Sequence, residues 1–234
     1  MNSVSVILPS YNEKDNLPEA IERLEKSVAD DLLEIIVVDD NSPDGSWKVV
    51  EDLKNPKVRV IRRMHEKGLA SAIERGVAEA RGDTVVWMDC DLGLPPEAVP
   101  RLVAGLSHAD VVVGSRYVRG GADKRAFVRR TLSTLMNIYA MVVLSFKVRD
   151  YTSGFVAART SVARVIGINP RGFGEYCIEF LYTAVKRGYR VAEVGYHYNY
   201  RKHGVSRTDT VNYSLFKFGA QYAWRILRLR FRVK

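Results

Sequence analysis

One short stretch constrains the fold more than any other: four large apolar residues, Val85 to Met88, run directly into Asp89-Cys90-Asp91. A continuous apolar run is typical of a strand buried on both faces, and the acids predict that its carboxyl end reaches a surface. Residues i and i+2 of an extended chain point to the same side. We therefore expect Asp89 and Asp91 to converge while Cys90 faces away.

Two carboxylates held close together repel each other unless a cation lies between them. Hard oxygen ligands suit Mg²⁺ or Mn²⁺, with water and substrate phosphate in the remaining coordination positions. Asp-x-Asp is also common in solvated loops. Whether Asp89 and Asp91 form a metal site therefore depends on the segments around them.

Short apolar strands alternate with amphipathic helices over the first half of the chain. The predicted strands are 3–8, 35–38, 58–61, 83–88 and 111–113, and the predicted helices between them begin near residues 17, 46, 68 and 95. Strands that are apolar on both faces and separated by helices indicate an α/β fold, with a mainly parallel sheet flanked by helices.

Ligands of such sheets bind outside the carboxyl ends of the strands. That rule predicts one rim, made of four segments. They are Pro9 to Glu13, Asp39 with Asp40, Asp89 to Asp91, and Arg116.

The later part of the chain has a different composition and a less regular order of predicted elements. Thr131 to Phe146 is a run of sixteen uncharged residues, short of the roughly 20 that a membrane-spanning helix needs. It predicts either a buried helix or a helix lying in a membrane interface. Further predicted elements are a strand ending at Ala158, a helix over 175–187, a strand over 190–198 and a helix from Asp209.

The 234 residues carry a net charge of +9, and six of the nine excess charges follow Asp209. A basic, aromatic C-terminal helix prefers a polyanionic surface, either acidic lipid or nucleic acid. We predict a catalytic domain over 1–208 and a membrane-associating amphipathic helix over 209–234.

Cys90 and Cys177 form neither a disulfide framework nor a zinc pattern, and no signal peptide is recognised. The domain is therefore expected on the cytoplasmic side.

Carboxylates and arginines on one rim suit a ligand that carries both a cation and anionic groups, and a nucleoside diphosphate bound through a divalent ion is such a ligand. Asp39 or Asp40 would accept hydrogen bonds from its ribose or base, and Tyr11 offers a ring face to the base. The glycines form no Walker loop, and no G-x-G-x-x-G follows the first strand, which disfavours kinase and dinucleotide interpretations.

A set of motifs in this order resembles family 2 glycosyltransferases, and within them dolichol-phosphate mannose synthases. The motifs are Val6-Ile7-Leu8-Pro9-Ser10-Tyr11-Asn12-Glu13, Val37-Val38-Asp39-Asp40-Asn41-Ser42-Pro43-Asp44-Gly45, Gly68-Leu69-Ala70-Ser71-Ala72, Asp89-Cys90-Asp91-Leu92, Gly114-Ser115-Arg116, Asp150-Tyr151-Thr152-Ser153-Gly154-Phe155 and Arg201-Lys202-His203-Gly204-Val205-Ser206. Each motif is weak alone, but the ordered set spans roughly residues 4 to 208.

The resemblance implies a GT-A (Rossmann-like) fold and transfer of mannose from GDP-mannose to dolichyl or another polyprenyl phosphate, with inversion and with Mg²⁺ or Mn²⁺. It places the enzyme on the cytoplasmic face of the membrane. The implied nucleotide-binding residues are Pro9, Tyr11, Glu13, Val38, Asp39, Asp40 and the Cys90 backbone. Asp89 and Asp91 are the implied metal ligands. The implied ligands of the diphosphate and the acceptor phosphate are Arg116, Arg130, Arg201 and Arg207.

The sequence departs from that family's pattern at three positions. Relatives usually have Asp-Ala-Asp and a polar residue, often Gln, two positions after the second Asp, where this chain has Cys90 and Gly93. Water would take the place of that metal ligand, or the metal would bind more weakly. The third departure is Glu175, where many relatives have Lys ahead of a helix that bears a glutamate. Glu179 occupies the position of that family glutamate, for which a structural ion pair or helix-surface role and a catalytic role are both considered.

Two alternatives compete with this interpretation. The first is a transferase that uses UDP-glucose with the same lipid acceptor, since no side chain clearly reads the base. The second is a basic nucleic-acid-binding protein. An acidic rim repels nucleic acid phosphates in the absence of a metal, so we expect no nucleic acid partner.

Overall fold

The computed structural model describes residues 3–170, 175–201 and 213–232. The strands are β1 (Val4–Ser10), β2 (Leu32–Asp39), β3 (Val58–Arg62), β4 (Thr84–Trp87), β5 (Val111–Ser115), β6 (Ala122–Asp123), β7 (Val156–Arg159), β8 (Val191–Gly195) and β9 (His197–Tyr198). The helices are α1 (Leu17–Val28), α2 (Ser46–Asp52), α3 (Leu69–Glu79), α4 (Val99–Gly105), α5 (Phe127–Val143), α6 (Thr160–Ile166), α7 (Glu175–Lys186) and α8 (Tyr213–Arg232).

Seven strands form one sheet in the order β3-β2-β1-β4-β7-β5-β8, and β6 pairs with β9 in a separate two-stranded ribbon. All neighbours in the large sheet are parallel except β7, which runs antiparallel between β4 and β5. The prediction of a mainly parallel sheet flanked by helices is confirmed. The predicted boundary between residues 208 and 209 lies outside the described residues.

The central strands are apolar throughout because both faces of the sheet are covered. Alternate residues of β1 and β4 enter different cores: Ile7 and Trp87 belong to one, and Val6 and Val86 to the other. This two-sided burial fixes the position of β4, and its carboxyl end presents the Asp89-Cys90-Asp91 segment beside the end of β1.

The strand predicted over 190–198 is interrupted. β8 ends at Gly195 and the chain continues as β9, which pairs with β6 instead of the large sheet. Glycine at position 195 lets the chain pass close to the backbone of Arg119, since a Cβ there would lie 2.4 Å from the Arg119 backbone oxygen. The change of direction brings Tyr198 toward the loop that follows β4.

Helix α5 is a surface helix and not the buried one considered from its sequence. Its buried residues are Asn137 and Ala140, whereas large apolar side chains such as Phe127 (71% exposed) and Val142 (65% exposed) face outward. Neither α5 nor any other helix in the described part of the chain has the length and apolarity that crossing a membrane requires.

A buried carboxylate on β2 makes stability dependent on pH. Glu34 accepts hydrogen bonds from Ser5 Oγ (2.9 Å), Arg59 Nε (2.8 Å) and the Arg81 N–H (2.8 Å). Burial alone would raise the pKa of Glu34, but these donors outweigh burial and the pKa lies below its usual value. Glu34 therefore stabilises the fold above the pKa of the unfolded chain, about 4.3, and this contribution is lost as the pH falls through the folded-state pKa.

We expect Glu34→Gln to lower the free energy of unfolding at pH 7 by about 2 kcal/mol, the size typical of hydrogen bonds to a charged group. The difference from wild type should shrink below about pH 4, because the carboxyl of the unfolded wild-type chain is protonated there and the folded carboxyl follows at lower pH. Urea denaturation of both proteins at pH 7 and pH 3.5 measures this. An equal difference at both pH values would contradict the assignment.

Candidate active site

Three carboxylates gather at the carboxyl edge of the sheet. Asp89 and Asp91 follow β4, and Glu13 follows the neighbouring β1. Each of the three is partly shielded from solvent. Within the described residues, no three His, Cys, Asp or Glu side chains are grouped so that they alone would hold a metal ion. Any cation bound here would complete its coordination with water or ligand oxygens, which is how Mg²⁺ usually binds.

The electrostatics of this cluster favour a cation. Burial raises the pKa of Asp89 to about 7, and the negative charges of Asp91 and Glu13 contribute to the rise. Burial also raises the pKa of Glu13, although hydrogen bonds from Asn16 and Arg201 oppose the rise. Burial and the neighbouring carboxylates both disfavour the ionised forms, so added positive charge would stabilise the ionised cluster.

Arg201 lies among these acids. Its guanidinium donates a hydrogen bond to Glu13 Oε1, and its Nη1 lies 3.7 Å from Asp91 Oδ2. The predicted Arg207 lies outside the described residues. Arg201 therefore contacts the acid cluster, and its contact with a phosphate group remains a prediction.

The turn after β4 has a defined shape. Leu92 adopts a positive φ of 64°, and the Gly93 N–H donates to Asp91 Oδ1 at 2.9 Å. Cys90 is buried, and its thiol hydrogen-bonds the backbone oxygen of Pro9 at 3.4 Å. The Cys90 side chain thus contacts the β1 backbone and belongs to the core, as the alternation of side chains along an extended segment predicts.

The two acids after β2 organise loops. Asp39 accepts hydrogen bonds from the Ser42 N–H (2.8 Å) and hydroxyl (2.6 Å). Asp40 accepts from the buried Arg63 guanidinium (Nε, 2.8 Å) and from the Gly68 N–H (2.7 Å). These bonds hold the loop before α2 and the loop before α3. Contacts of Asp39 and Asp40 with a nucleotide remain predictions.

The other predicted nucleotide residues differ in exposure. Pro9 and Val38 are buried within their strands, so their side chains do not reach the solvent. Tyr11 lies at the surface, with Lys67 Nζ 5.4 Å from its ring centroid. An aromatic face flanked by a cation is suited to a base and its phosphates.

Arg116 is held inside the protein by carboxylates. Its Nε and Nη2 donate to the two oxygens of Asp150 at 2.9 and 2.7 Å, and Asp123 lies 3.6 Å from Nη1. Arg116 and the exposed Arg130 border one cavity of about 360 Å³ beside α5. Two of the predicted phosphate ligands therefore line the same cavity. Contact of either arginine with a phosphate group stays a prediction.

Some residues that shape the site were not singled out from the sequence. Arg63 follows β3 at the same edge of the sheet, a position that the carboxyl-end rule would have included. Asp150 belongs to a recognised motif, but its partner Arg116 is 34 positions away.

Glu179 accepts hydrogen bonds from Asn169 and from Arg225 of α8, both at 3.0 Å. This is the structural ion pair considered from the sequence.

A mainly parallel sheet with carboxylates at the ends of β1, β2 and β4 defines the class of protein: a glycosyltransferase of the GT-A fold. The sequence pattern of glycosyl transferase family 2 matches residues 5–167, and the chain belongs to that family.

Curated relatives agree with this assignment. The chain is 40% identical to the dolichol-phosphate mannosyltransferase of Pyrococcus furiosus over 211 residues, which cover 87% of this chain and 58% of that relative. It is 31% identical to the undecaprenyl-phosphate mannosyltransferase of Micrococcus luteus, covering 97% and 98% of the two chains. It is 35% identical to the dolichol-phosphate mannosyltransferase of Saccharomyces cerevisiae, covering 92% and 88%.

The fold also matches a solved structure. Glucosyl-3-phosphoglycerate synthase from Mycobacterium tuberculosis, crystallised with Mn²⁺, UDP and phosphoglyceric acid, superposes with a TM-score of 0.76. The match covers all of this chain and 80% of that one at 20% sequence identity. At this identity the likeness concerns the fold alone.

Proposed function

We propose that this protein transfers mannose from GDP-mannose to dolichyl or another polyprenyl phosphate, with inversion at the anomeric carbon and with Mg²⁺ or Mn²⁺ as cofactor. The acid cluster of Asp89, Asp91 and Glu13 at the ends of β4 and β1 carries the proposal. Its excess negative charge suits a ligand that arrives with a cation. The relatives named for mannosyl transfer to polyprenyl phosphates support the choice of sugar and acceptor.

The residues present fit a divalent cation. Asp89 and Asp91 offer hard oxygen ligands. Burial and the negative charges of Asp91 and Glu13 raise the pKa of Asp89, and a nearby cation would oppose both effects. A bound Mg²⁺ or Mn²⁺ would neutralise negative charge on the leaving diphosphate. The protein's part is to fix the two carboxylates at the end of a buried strand, so that the geometry exists before the donor arrives.

The arginines suit the two phosphate groups. Planar guanidinium groups match phosphate oxygens, and Arg201 lies beside the acid cluster where a donor diphosphate would lie. Arg130 lies at the cavity beside α5, where an acceptor phosphate would enter. Holding both anions in line lowers the entropic part of the barrier to transfer.

The acceptor needs no strong general base. A phosphate monoester has a second pKa of about 6, so it is largely dianionic near neutral pH. Its oxygen attacks the anomeric carbon directly, the bond from that carbon to the diphosphate breaks, and the electron pair leaves with GDP. No proton has to be removed from the nucleophile, which agrees with a site whose described histidines lie outside the acid cluster.

A panel of labelled donors tests the proposed function. The protein is incubated with Mn²⁺, polyprenyl phosphate and radiolabelled GDP-mannose, UDP-glucose or another sugar nucleotide, and label in the organic extract is counted. We expect labelled lipid from GDP-mannose. Label from UDP-glucose alone would favour the glucosyltransferase alternative, and no label from any donor would defeat the proposal.

A lipid acceptor requires contact with a membrane, and α5 and α8 provide a surface for it. The two helices pack together. Outward apolar side chains on the two helices include Phe127, Leu135, Ile138, Val142, Trp224 and Phe231, and the exposed Phe146 lies just after α5. Exposed arginines of α8, such as Arg228 and Arg230, accompany them. A surface that combines apolar side chains with arginines suits a pair of helices lying on anionic lipid headgroups. We propose that this surface binds the cytoplasmic face of the membrane.

We expect Leu135→Glu with Val142→Glu to reduce binding to vesicles containing phosphatidylglycerol by about tenfold or more, because both changes place charge in an apolar contact. Vesicle co-sedimentation measures the effect. Leu33→Glu with Leu53→Glu is the matched control, since both residues are exposed leucines outside α5 and α8. Equal loss in both double variants would show that the effect is not specific to the helix pair.

A further inference from the structure

The family resemblance implies a polar side chain two positions after Asp91, where this chain has Gly93, and the structure shows what lies in that space. A Cβ on Gly93 would lie 3.0 Å from the Tyr198 hydroxyl oxygen, 3.1 Å from Tyr198 Cζ and 3.0 Å from Asp91 Oδ1. Contacts of this length are tighter than nearly all real Cβ contacts, so a side chain at position 93 would require the Tyr198 ring to shift. The end of the Tyr198 ring therefore occupies the volume that a side chain at position 93 would need.

Tyr198 is held in this place from several directions. Its strand β9 pairs with β6, with Asp123 opposite Tyr198, and the next residue, Asn199, donates its N–H to the Gly93 backbone oxygen at 2.9 Å. The Arg125 guanidinium lies 4.9 Å from the centroid of the Tyr198 ring. The hydroxyl position is thus fixed by the fold and coupled to the turn after Asp91.

The hydroxyl also lies in the field of the acid cluster. Burial raises the pKa of Tyr198 far above its usual value, and the charges of Asp91 and Asp89 contribute to the rise. A phenol keeps its proton at physiological pH in any case, since its usual pKa is about 10. A neutral phenol offers one donor and an acceptor lone pair, which suits a carboxylate on one side and a cation-bound water on the other.

We propose that the Tyr198 hydroxyl is the third polar group of the Asp89–Asp91 site, holding a water bound to the cation in place of a side chain at position 93. Tyr198 is a positioning residue, since it acts through that water. The inference rests on the metal dependence contained in the proposed function. It accounts for Gly93, because a side chain at position 93 would press against the tyrosine ring.

Calorimetric titration of Mn²⁺ into the protein in the presence of GDP tests this inference without any turnover. We expect Tyr198→Phe to weaken Mn²⁺ binding by about ten- to a hundredfold, the usual cost of losing an outer-shell partner. Tyr182→Phe is the matched control, since its hydroxyl is buried with no hydrogen-bond partner among the described residues. That variant should bind Mn²⁺ as the wild type does.

A rescue experiment separates this role from simple packing. Tyr198→Ala should weaken Mn²⁺ binding, Gly93→Gln alone should clash with the tyrosine ring, and the double variant Tyr198→Ala with Gly93→Gln should recover affinity close to wild type. Thermal unfolding of each variant shows that the fold is retained.

The outcomes distinguish the inference from the proposed function. Wild-type affinity in Tyr198→Phe, or a double variant that binds no better than Tyr198→Ala, would overturn the role of Tyr198 alone. A wild-type protein that binds no Mn²⁺ with GDP present would overturn the metal dependence and this inference together.

Discussion

Replacing Asp91 with Asn is expected to reduce metal-dependent mannosyl transfer at least about a thousandfold while the protein remains folded. The change removes the carboxylate that interacts with Asp89 and Arg201, so the leaving diphosphate loses its charge neutralisation, a loss of about 4 kcal/mol at the transition state. The fold should persist because the Asn oxygen can still accept the Gly93 N–H. The lipid-extraction assay with GDP-mannose measures transfer, and thermal unfolding measures stability.

Asp52→Asn is the matched control, since Asp52 is an exposed carboxylate at the end of α2. It should transfer mannose at the wild-type rate. Without metal, Asp91→Asn should be at least as stable as the wild type, because the change removes repulsion with Asp89. Full activity in Asp91→Asn would refute the metal assignment.

The largest effect on stability is expected from Asp150→Asn. Asp150 is buried and neutralises the buried Arg116 through hydrogen bonds to its side chain and to its backbone N–H. Removing one charge of a buried pair leaves the other uncompensated and typically costs about 3–5 kcal/mol. For a chain of this size, the melting temperature should fall by about 10 °C.

Glu97→Gln serves as the comparison, because the Glu97–Arg23 pair lies at the surface and such pairs contribute less than about 1 kcal/mol. A double variant, Asp150→Asn with Arg116→Met, should lose less stability than the sum of the two single variants, since no unpaired charge remains. A small effect of Asp150→Asn would show that Arg116 does not depend on this partner.

The sequence predicted the parts of the fold that depend on local pattern. The apolar run at β4 predicted a strand buried on both faces, and the carboxyl-end rule predicted that Glu13 and the Asp89–Asp91 pair share a rim. Side-chain alternation predicted that Cys90 faces away from the two acids, and in the structure its side chain lies in the core. These features follow from the two-residue period of a strand and from burial.

Features that depend on long-range pairing were not predictable in the same way. The antiparallel β7 enters between β4 and β5 from a distant part of the chain, and no local signal gives its direction. Asp39 and Asp40 were recognised as acids at the rim, but their donors, Ser42 and Arg63, became known only from the loop geometry. The approach of Tyr198 to Gly93 depends on the break between β8 and β9.

The most direct test of the metal-binding role of Asp89 and Asp91 is the affinity of the wild-type protein for GDP, measured by calorimetry with Mn²⁺ and with EDTA. If the two carboxylates hold the diphosphate through a cation, GDP should bind at least about a hundredfold more tightly with Mn²⁺, a coupling of about 2.7 kcal/mol. Equal affinity for GDP with Mn²⁺ and with EDTA would contradict that role.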